Sequence, residues 1–404
     1  MNEFFGKKVF VLGDGVSGSG ARNALKKCGS AICSKLAENL DYIIVSPGIS
    51  TDNEIFSFAI ANKIKIIGEL ELGYRLCNAP IIAVTGTNGK TTVTALIGEI
   101  LRQGGYNPIV CGNIGVSFAQ SAVYEEYDVA VVETSSFQLE TIKKFHPYIA
   151  VITNLTPDHL DRHKTLVEYF KQKRKIARNQ TAQDFLVVPD SMKISARSRV
   201  ITFDGGDCCI EQEKIVLFDE ELLALSDITL RGYHNVLNVM AAATACSLFG
   251  VQPNAIRKAV FDFRTDRHRI ELVAQINGIS YFDDSKGTNI ASVLCAVQSM
   301  QGDTCLIVCG NDKGYEYDEP FLALDEKVKS VVAFGEIKNK VVSATKRCGY
   351  ENLMLALDMA DAVKKATASG CENVLLSPGT SSFDMYSGYD ERGDAFALEV
   401  KKLC

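Results

Sequence analysis

No C-x-x-C spacing occurs anywhere in the chain, although it carries thirteen cysteines; Cys208-Cys209 are merely adjacent. That argues against a metal or disulfide role and for free, buried thiols in a reducing compartment. The opening residues, Met1-Asn2-Glu3-Phe4-Phe5-Gly6-Lys7-Lys8, lack the charged-then-apolar layout of a signal peptide. No uncharged apolar run nears the roughly 20 residues that a bilayer-spanning helix needs. An excess of positive charge is also missing, with 43 Lys and Arg against 49 Asp and Glu. Nucleic-acid binders normally show a basic footprint, so no nucleic-acid partner is expected. An anionic small substrate stays compatible, because a basic pocket can sit in an acidic chain. The expectation is a cytoplasmic protein with no membrane partner, working as a monomer.

Two further absences narrow the nucleotide chemistry. A switch GTPase reads guanine with Asn-Lys-x-Asp, but Asn62-Lys63-Ile64-Lys65 and Asn339-Lys340-Val341-Val342 both lack the Asp. Gly13-Asp14-Gly15-Val16-Ser17-Gly18 resembles a dinucleotide fingerprint, yet a NAD site wants an acid about twenty residues on. Ala31-Ile32-Cys33-Ser34 stands there, with no acid before Glu38, so a dehydrogenase is rejected.

What is present is a chain of 404 residues in which strand-like and helix-like stretches alternate, with Gly-rich turns after strands. That length carries a prior of roughly two to four domains. The alternation is the pattern of parallel sheets covered by helices, an α/β fold. Lys8-Val9-Phe10-Val11-Leu12 leads into the Gly13 turn and a helix expected over 19–28; Tyr42-Ile43-Ile44-Val45 ends in Ser46-Pro47-Gly48-Ile49. Asn78-Ala79-Pro80 marks a first boundary. The next segment carries strands at 81–85, 129–132 and 149–152, a long helical stretch over 166–179, a β-rich insert over 185–230 and a small-residue helix over 236–249. A second boundary falls near Arg264-Thr265-Asp266, and strands at 305–308, 330–334 and 373–376 follow. The expected domains are 1–78, 79–265 and 266–404.

Ile81-Ile82-Ala83-Val84-Thr85 runs into Gly86-Thr87-Asn88-Gly89-Lys90-Thr91-Thr92. A strand, a Gly-rich turn and Lys-Thr at a helix start form a phosphate-binding design. Glycines let backbone N–H groups face the anion, and the helix N-terminus adds its positive dipole end. Lys90 reaches the β- and γ-phosphates of a nucleotide, and the Thr91 hydroxyl helps hold Mg²⁺. The loop is shorter than the common form, since Val84 stands where that form has its first glycine. A carboxylate should complete the metal site. Glu133, closing Asp128-Val129-Ala130-Val131-Val132-Glu133, supplies one at a strand's C-terminal end, where open α/β sheets place ligands.

Glu133-Thr134-Ser135-Ser136-Phe137-Gln138-Leu139-Glu140, taken with residues 86–92, resembles the Mur ligases of peptidoglycan synthesis, and the Ser-Ser-Phe-Gln-Leu-Glu string resembles their D-glutamate-adding branch. Further motifs fall in the family's order along nearly the whole chain. They are Gly112-Asn113-Ile114-Gly115, Asn154-Leu155-Thr156-Pro157-Asp158-His159-Leu160-Asp161, Gly232-Tyr233-His234-Asn235, His268-Arg269, Asp284-Ser285-Lys286, Asp312-Lys313-Gly314 and Ser377-Pro378-Gly379-Thr380-Ser381-Ser382-Phe383-Asp384. The resemblance implies a Rossmann-like N-terminal domain that binds a UDP-sugar, a central P-loop ATPase-like parallel-sheet domain with a β-rich insert, and a C-terminal Rossmann-like α/β domain that binds an amino acid. It implies an ATP-dependent amide ligase. The alanine carboxylate of UDP-N-acetylmuramoyl-L-alanine attacks the γ-phosphate of ATP, and the amine of D-glutamate attacks the acyl phosphate, releasing ADP and phosphate. A sibling Mur ligase or a folylpolyglutamate synthase-like ligase is the same-class alternative. A nucleotide-dependent regulatory or binding protein is the alternative of another class.

The resemblance also implies roles. One Mg²⁺ lies near Thr91 and Glu133, and a second is held by His159 and a carbamylated lysine. In Glu168-Tyr169-Phe170-Lys171-Gln172-Lys173-Arg174-Lys175 the residues alone leave Lys171, Lys173 and Lys175 equally eligible; the family's register selects Lys173. Carbamylation converts an ammonium into an anionic oxygen ligand that suits a hard cation. It needs the neutral amine first, so a depressed lysine pKa is expected. Lys90, Asn113, His159, Lys173 and Arg269 make up the implied catalytic set, with Asn113 orienting the acyl group. Asn235 and Asn238 approach adenine or phosphates, although asparagine at a helix start also serves as an N-cap. Arg269 and Asp284 match ATP-contacting positions, where an arginine stabilises charge on the transferred phosphoryl group. The two carboxylates of D-glutamate ask for cations and hydroxyls, implied to be Lys313, Thr288 and Ser382 with Phe383, Tyr389 and Lys286 beside them. At the nucleotide-sugar end Ser17, Ser34 and Gly48 are implied to meet phosphate or uracil, while Cys33 stands where many relatives carry an Asp.

Overall fold

The computed structural model describes residues 2–158, 160–230, 232–264, 267–314, 317 and 327–403. Among them the strands form three sheets. The first is wholly parallel, in the order β2-β1-β3-β4, from β1 (Lys8–Leu12), β2 (Ala31–Cys33), β3 (Tyr42–Val45) and β4 (Lys65–Gly68). Chain direction across the sheet reverses at β1, which places the turn after β1 beside the turn after β3. Such a reversal is where open α/β sheets hold ligands.

The central sheet has the order β13-β12-β11-β10-β9-β8-β5-β7-β6. Its first four strands along the chain are β5 (Ile81–Thr85), β6 (Pro108–Gly112) at one edge, β7 (Val129–Glu133) and β8 (Ile149–Ile152). All residues of β5, β7 and β8 are buried. That is why they read as unbroken apolar runs rather than alternating ones, as expected of parallel strands covered on both faces. The insert does not stand apart. Its strands β9 (Phe185–Pro189), β10 (Arg199–Phe203) and β11 (Cys208–Glu211) continue the sheet in parallel, and β12 (Lys214–Leu217) and β13 (Glu220–Ala224) finish it antiparallel. The third sheet, in the order β14-β15-β19-β16-β17-β18, comprises β14 (Glu271–Ile276), β15 (Ile279–Asp283), β16 (Thr304–Cys309), β17 (Val328–Phe334), β18 (Leu353–Leu355) and β19 (Asn373–Leu376). Only its β14–β15 edge is antiparallel.

By packing, the chain divides into two compact units: Met1–Thr229 with Val236–Phe263, and Leu230–Asn235 with Arg264–Cys404. The first unit holds both the N-terminal and the central sheet, because one apolar core runs through them, from Val9 and Ile44 to Ala83, Val132 and Ile152. Helices refine the sequence expectations. The helix after β1 is α1 (Val16–Lys27), starting three residues before the expected 19. The stretch expected over 166–179 stops as a helix at Arg174 and tightens into a 3₁₀ turn over Lys175–Ala177. Beyond it Asn179 donates to the carbonyls of Lys143 and Phe145, drawing the chain onto the neighbouring segment. The small-residue helix begins at Tyr233, earlier than 236. Among the described residues no helix is long and apolar enough to cross a membrane.

Two buried carboxylates on α2 (Glu69–Leu76) dock the N-terminal sheet onto the central one. Glu71 accepts from Arg75 Nε at 2.8 Å and from the backbone N–H groups of Lys143, Lys144 and Phe145. Glu69 accepts the Ala119 N–H at 2.7 Å, but its Oε2 is buried with no protein partner. Burial therefore raises its pKa from 4.5 to about 7. Between those values the unfolded chain gives up the proton while the folded chain keeps it, so stability falls as pH rises through this window and levels off above it. We expect Glu69→Gln to lessen that fall, leaving the share of other raised groups, and to raise stability at pH 8 by about 1–2 kcal/mol. Denaturant unfolding at pH 5 and pH 8 checks this; an unchanged pH dependence contradicts it.

Candidate active site

The phosphate loop joins β5 to α3 (Lys90–Gln103), at the strand flanked by β8 and β7. Two glycines are fixed by geometry. Gly86 has φ +149°, and a Cβ there would lie 1.9 Å from Thr153 Oγ1; Gly89 has φ +78°, with Asn238 Oδ1 2.3 Å from the same imagined atom. Side chains rarely adopt such backbone conformations, whereas glycine does so freely. The segment after β8 braces the loop from below. Asn154 accepts the Asn88 N–H at 2.9 Å and donates to Asn88 O at 3.0 Å, while Thr87 Oγ1 donates to Thr156 O at 3.0 Å and meets Tyr169 Oη at 3.1 Å. Lys90 Nζ donates to Thr87 O at 2.7 Å. Thr91 and Thr92 lie buried in the first turn of α3.

Glu133 ends β7 beside this loop, and only 2% of it is exposed. Asn113 Nδ2 donates to its Oε1 at 2.8 Å, and its Oε2 is buried with no protein partner. A buried carboxylate oxygen left unsatisfied costs free energy, and a divalent cation would satisfy it. Lys173 projects from α5 (Leu166–Arg174; α4 is Ser136–Glu140), and Thr165 caps the N-terminus of α5. Its Nζ donates to Gly86 O at 2.6 Å, lies 4.8 Å from the centre of the Tyr169 ring and is almost wholly buried. Burial and then the nearby Lys90 cation hold its pKa well below the usual lysine value, against the pull of Asp158 and Glu133. Lys171 and Lys175, eligible on sequence alone, do not share this position: Lys171 pairs with Glu168 at the surface, and Lys175 donates to Glu140 O. His159 lies outside the described residues.

At the end of the N-terminal sheet, Ser17 sits in the first turn of α1, Ser34 is exposed just past β2, and Gly48 accepts from Arg162 Nη1 at 3.2 Å. Sequence reasoning passed over Ser46. Its hydroxyl is buried without a partner and closes over the glycine turn, 2.2 Å from where a Gly13 Cβ would stand. The Ser46-Pro47-Gly48 string at a strand end was the available signal.

In the second unit Asp284 follows β15. Ser377 Oγ donates to it at 2.7 Å, and burial raises its pKa to about 7 against the attraction of Arg269. His234 is pushed down to about 4 by burial and then by Arg269. Lys313 Nζ donates to Thr288 O at 3.1 Å, which brings those two together, and Lys286 Nζ lies 5.0 Å from the Tyr389 ring centre. Ser382 is buried, whereas Phe383 is 70% exposed. Asn238 belongs to the first unit, against the phosphate loop, and Asn235 to the second.

A phosphate cradle beside a spare carboxylate oxygen and a buried lysine is the equipment of an enzyme that handles nucleoside triphosphates. The Mur ligase middle domain matches residues 84–246. The UDP-N-acetylmuramoylalanine–D-glutamate ligase of Caldanaerobacter subterraneus subsp. tengcongensis is 36% identical, over 98% of this chain and 98% of its own. That of Thermoanaerobacter pseudethanolicus is 38% identical over 91% of this chain and 85% of its own. In fold, the UDP-N-acetylmuramate-alanine ligase of Thermotoga maritima matches with a TM-score of 0.64 at 19% identity, covering 98% of this chain and 99% of that one. The MurF ligase of Thermotoga maritima in complex with ADP matches at 0.62 and 16% identity, covering 100% and 97%. The chain belongs to the Mur ligase family, among the UDP-N-acetylmuramoylalanine–D-glutamate ligases.

The crowding at Gly89 yields a prediction. Gly89→Ala forces a side chain into the left-handed region against Asn238, a strain of about 1–3 kcal/mol. We expect ADP affinity, measured by calorimetry, to weaken at least about tenfold, which corresponds to about 1.4 kcal/mol. Unchanged affinity would remove the loop from the phosphate site.

Proposed function

We propose that the first unit uses ATP to phosphorylate a carboxylate and that the second supplies the amine of D-glutamate. The chain thereby joins D-glutamate to UDP-N-acetylmuramoyl-L-alanine in peptidoglycan precursor synthesis. The observation that carries this reading is Lys173, a lysine buried against the phosphate loop, its pKa held well below the usual lysine value by burial, beside a carboxylate with a spare oxygen. The alanine carboxylate oxygen bonds to the γ-phosphorus as the bond to ADP breaks. The amine nitrogen then bonds to the carbonyl carbon, phosphate leaves with one former carboxylate oxygen, and the amine loses a proton.

In this reading Lys90 and the N–H groups of residues 86–92 bind the phosphates, with Asn238 and Asn235 at the nucleotide. Thr91 and Glu133 would hold one Mg²⁺, and His159 with a carbamylated Lys173 a second. Bound there, the cations supply charge neutralisation between two anions that otherwise repel. Asn113 orients the acyl group, its amide already fixed by Glu133. Arg269 and Asp284 are assigned to ATP. Lys286, Thr288, Lys313, Ser382, Phe383 and Tyr389 receive D-glutamate, and Ser17, Ser34, Ser46 and Gly48 the UDP end. The functional domains remain 1–78, 79–265 and 266–404, in a monomeric cytoplasmic enzyme.

The reading is tested with UDP-N-acetylmuramoyl-L-alanine, ATP and a panel of D- and L-amino acids. Phosphate release and amide product are expected with D-glutamate; release indifferent to the amino acid overturns the reading. For Lys173→Ala we expect a loss of turnover of at least about 100-fold, or about 2.7 kcal/mol, partly restored by added short-chain carboxylates. No recovery, together with a ¹³C NMR spectrum of the wild type in ¹³C-bicarbonate showing no carbamate carbon, would sink the carbamate.

A further inference from the structure

The bulkiest fully buried side chain among the described residues is Arg392, which nothing in the proposed reaction uses. It projects from the first turn of α7 (Tyr389–Lys401; α6 is Tyr233–Phe249). Its Nε donates to Ser285 Oγ at 3.0 Å, and its Nη2 donates to Ser285 O at 2.8 Å and to Thr380 O at 3.1 Å. Its Nη1 donates to Cys309 O at 3.3 Å. All four acceptors are neutral oxygens, and among the described residues no carboxylate pairs with it. Buried guanidinium groups are ordinarily paired with acids, because taking the charge out of water is expensive. Here the cation is retained on backbone oxygens alone, apart from one hydroxyl.

Those oxygens come from three loops. Ser285 follows β15, Cys309 ends β16 and Thr380 follows β19, and these strands are neighbours in the order β15-β19-β16. Their C-terminal ends form the edge where a parallel sheet takes its ligand. Lys286 and Thr288 lie on the first loop, Lys313 on the second and Ser382 on the third. We propose that Arg392 is the positioning residue of the amino-acid pocket: one guanidinium fork ties three strand-end loops into the surface that presents Lys286, Thr288, Lys313 and Ser382. This rests on the D-glutamate reading given above.

Local geometry supports a fitted role rather than chance filling. Gly310, next to Cys309, has φ +123°, and a Cβ there would stand 2.1 Å from Ser381 O and 2.9 Å from Arg392 Nη1. The loop therefore accepts the guanidinium only with glycine at that position. Ser285 Oγ, which accepts from Arg392, donates in turn to Tyr389 O at 2.7 Å and so closes a ring back onto α7. A trans peptide sets C=O and the following N–H on opposite sides. Carbonyls turned in to Arg392 thus turn the N–H groups of Gly310 and Ser381 away from the cation. Lysine offers its donors from a single point, whereas this fork spreads them over two edges, so Arg392→Lys keeps the charge and loses the geometry.

The test compares wild type with Arg392→Lys, and with Ser285→Ala as a milder variant that removes one acceptor. Steady-state kinetics are read for D-glutamate and ATP separately, and amide hydrogen exchange is read over 285–289, 309–314 and 377–384. For Arg392→Lys we expect the D-glutamate KM to rise at least about tenfold, the ATP KM to move less than about twofold, and exchange to quicken in all three segments together. Ser285→Ala should shift the same quantities in the same direction by about threefold, and it carries the test if Arg392→Lys does not fold. An unchanged D-glutamate KM, or equal loss in both KM values alongside a lowered melting temperature, overturns the positioning role. A wild type that forms no product with D-glutamate defeats the functional reading instead; concerted exchange in the three segments then still decides whether Arg392 ties them.

Discussion

Two lysine side chains make their hydrogen bonds to carbonyls of the same short loop, Lys90 to Thr87 O and Lys173 to Gly86 O. Lys173 is buried, and the nearby Lys90 cation adds to the penalty on its charged form. The rest of the first unit serves to hold this pair. The glycines at 86 and 89 let the backbone take its tight turn, Asn154 and Thr87 stitch the loop to the segment after β8, and Glu133, ending the neighbouring strand, keeps an unsatisfied buried oxygen.

Buried carboxylates and a buried arginine play opposite parts in the two units. In the first, Glu71 gathers three successive backbone N–H groups and so anchors the N-terminal sheet to the central one. In the second, Arg392 gathers backbone carbonyls from three loops. In each case backbone dipoles help satisfy a charge taken out of water, beside the Arg75 side chain for Glu71 and the Ser285 hydroxyl for Arg392, which costs less than an unpaired charge and fixes loop positions at the same time. The shared core and the two acids explain why two sheets that read as separate domains in sequence pack as one compact unit.

The parts of the site that depend on contiguous residues were legible in the sequence. The phosphate loop, Glu133 at a strand end and the alternation of strands and helices all follow from neighbours along the chain. Lys173 could not be told from Lys171 and Lys175 by residues alone, because which face of α5 turns inward depends on the loop and Tyr169 packed against it. Ser46, Glu69 and Arg392 escaped for the same reason: each owes its character to groups distant in sequence, Arg392 to partners up to 107 positions away. The helix expected over 166–179 ended early at Arg174 because Asn179 bonds to Lys143 and Phe145, a pull that helix propensity does not contain.

In the proposed reaction this paired-lysine loop brings a carboxylate oxygen onto the γ-phosphorus before any amide forms. The sharpest test uses substrate whose alanine carboxylate carries ¹⁸O at both oxygens, run to completion with ATP and D-glutamate. Inorganic phosphate bearing one labelled oxygen per amide made is the expected product. Phosphate free of label, with amide formed at full yield, would contradict it.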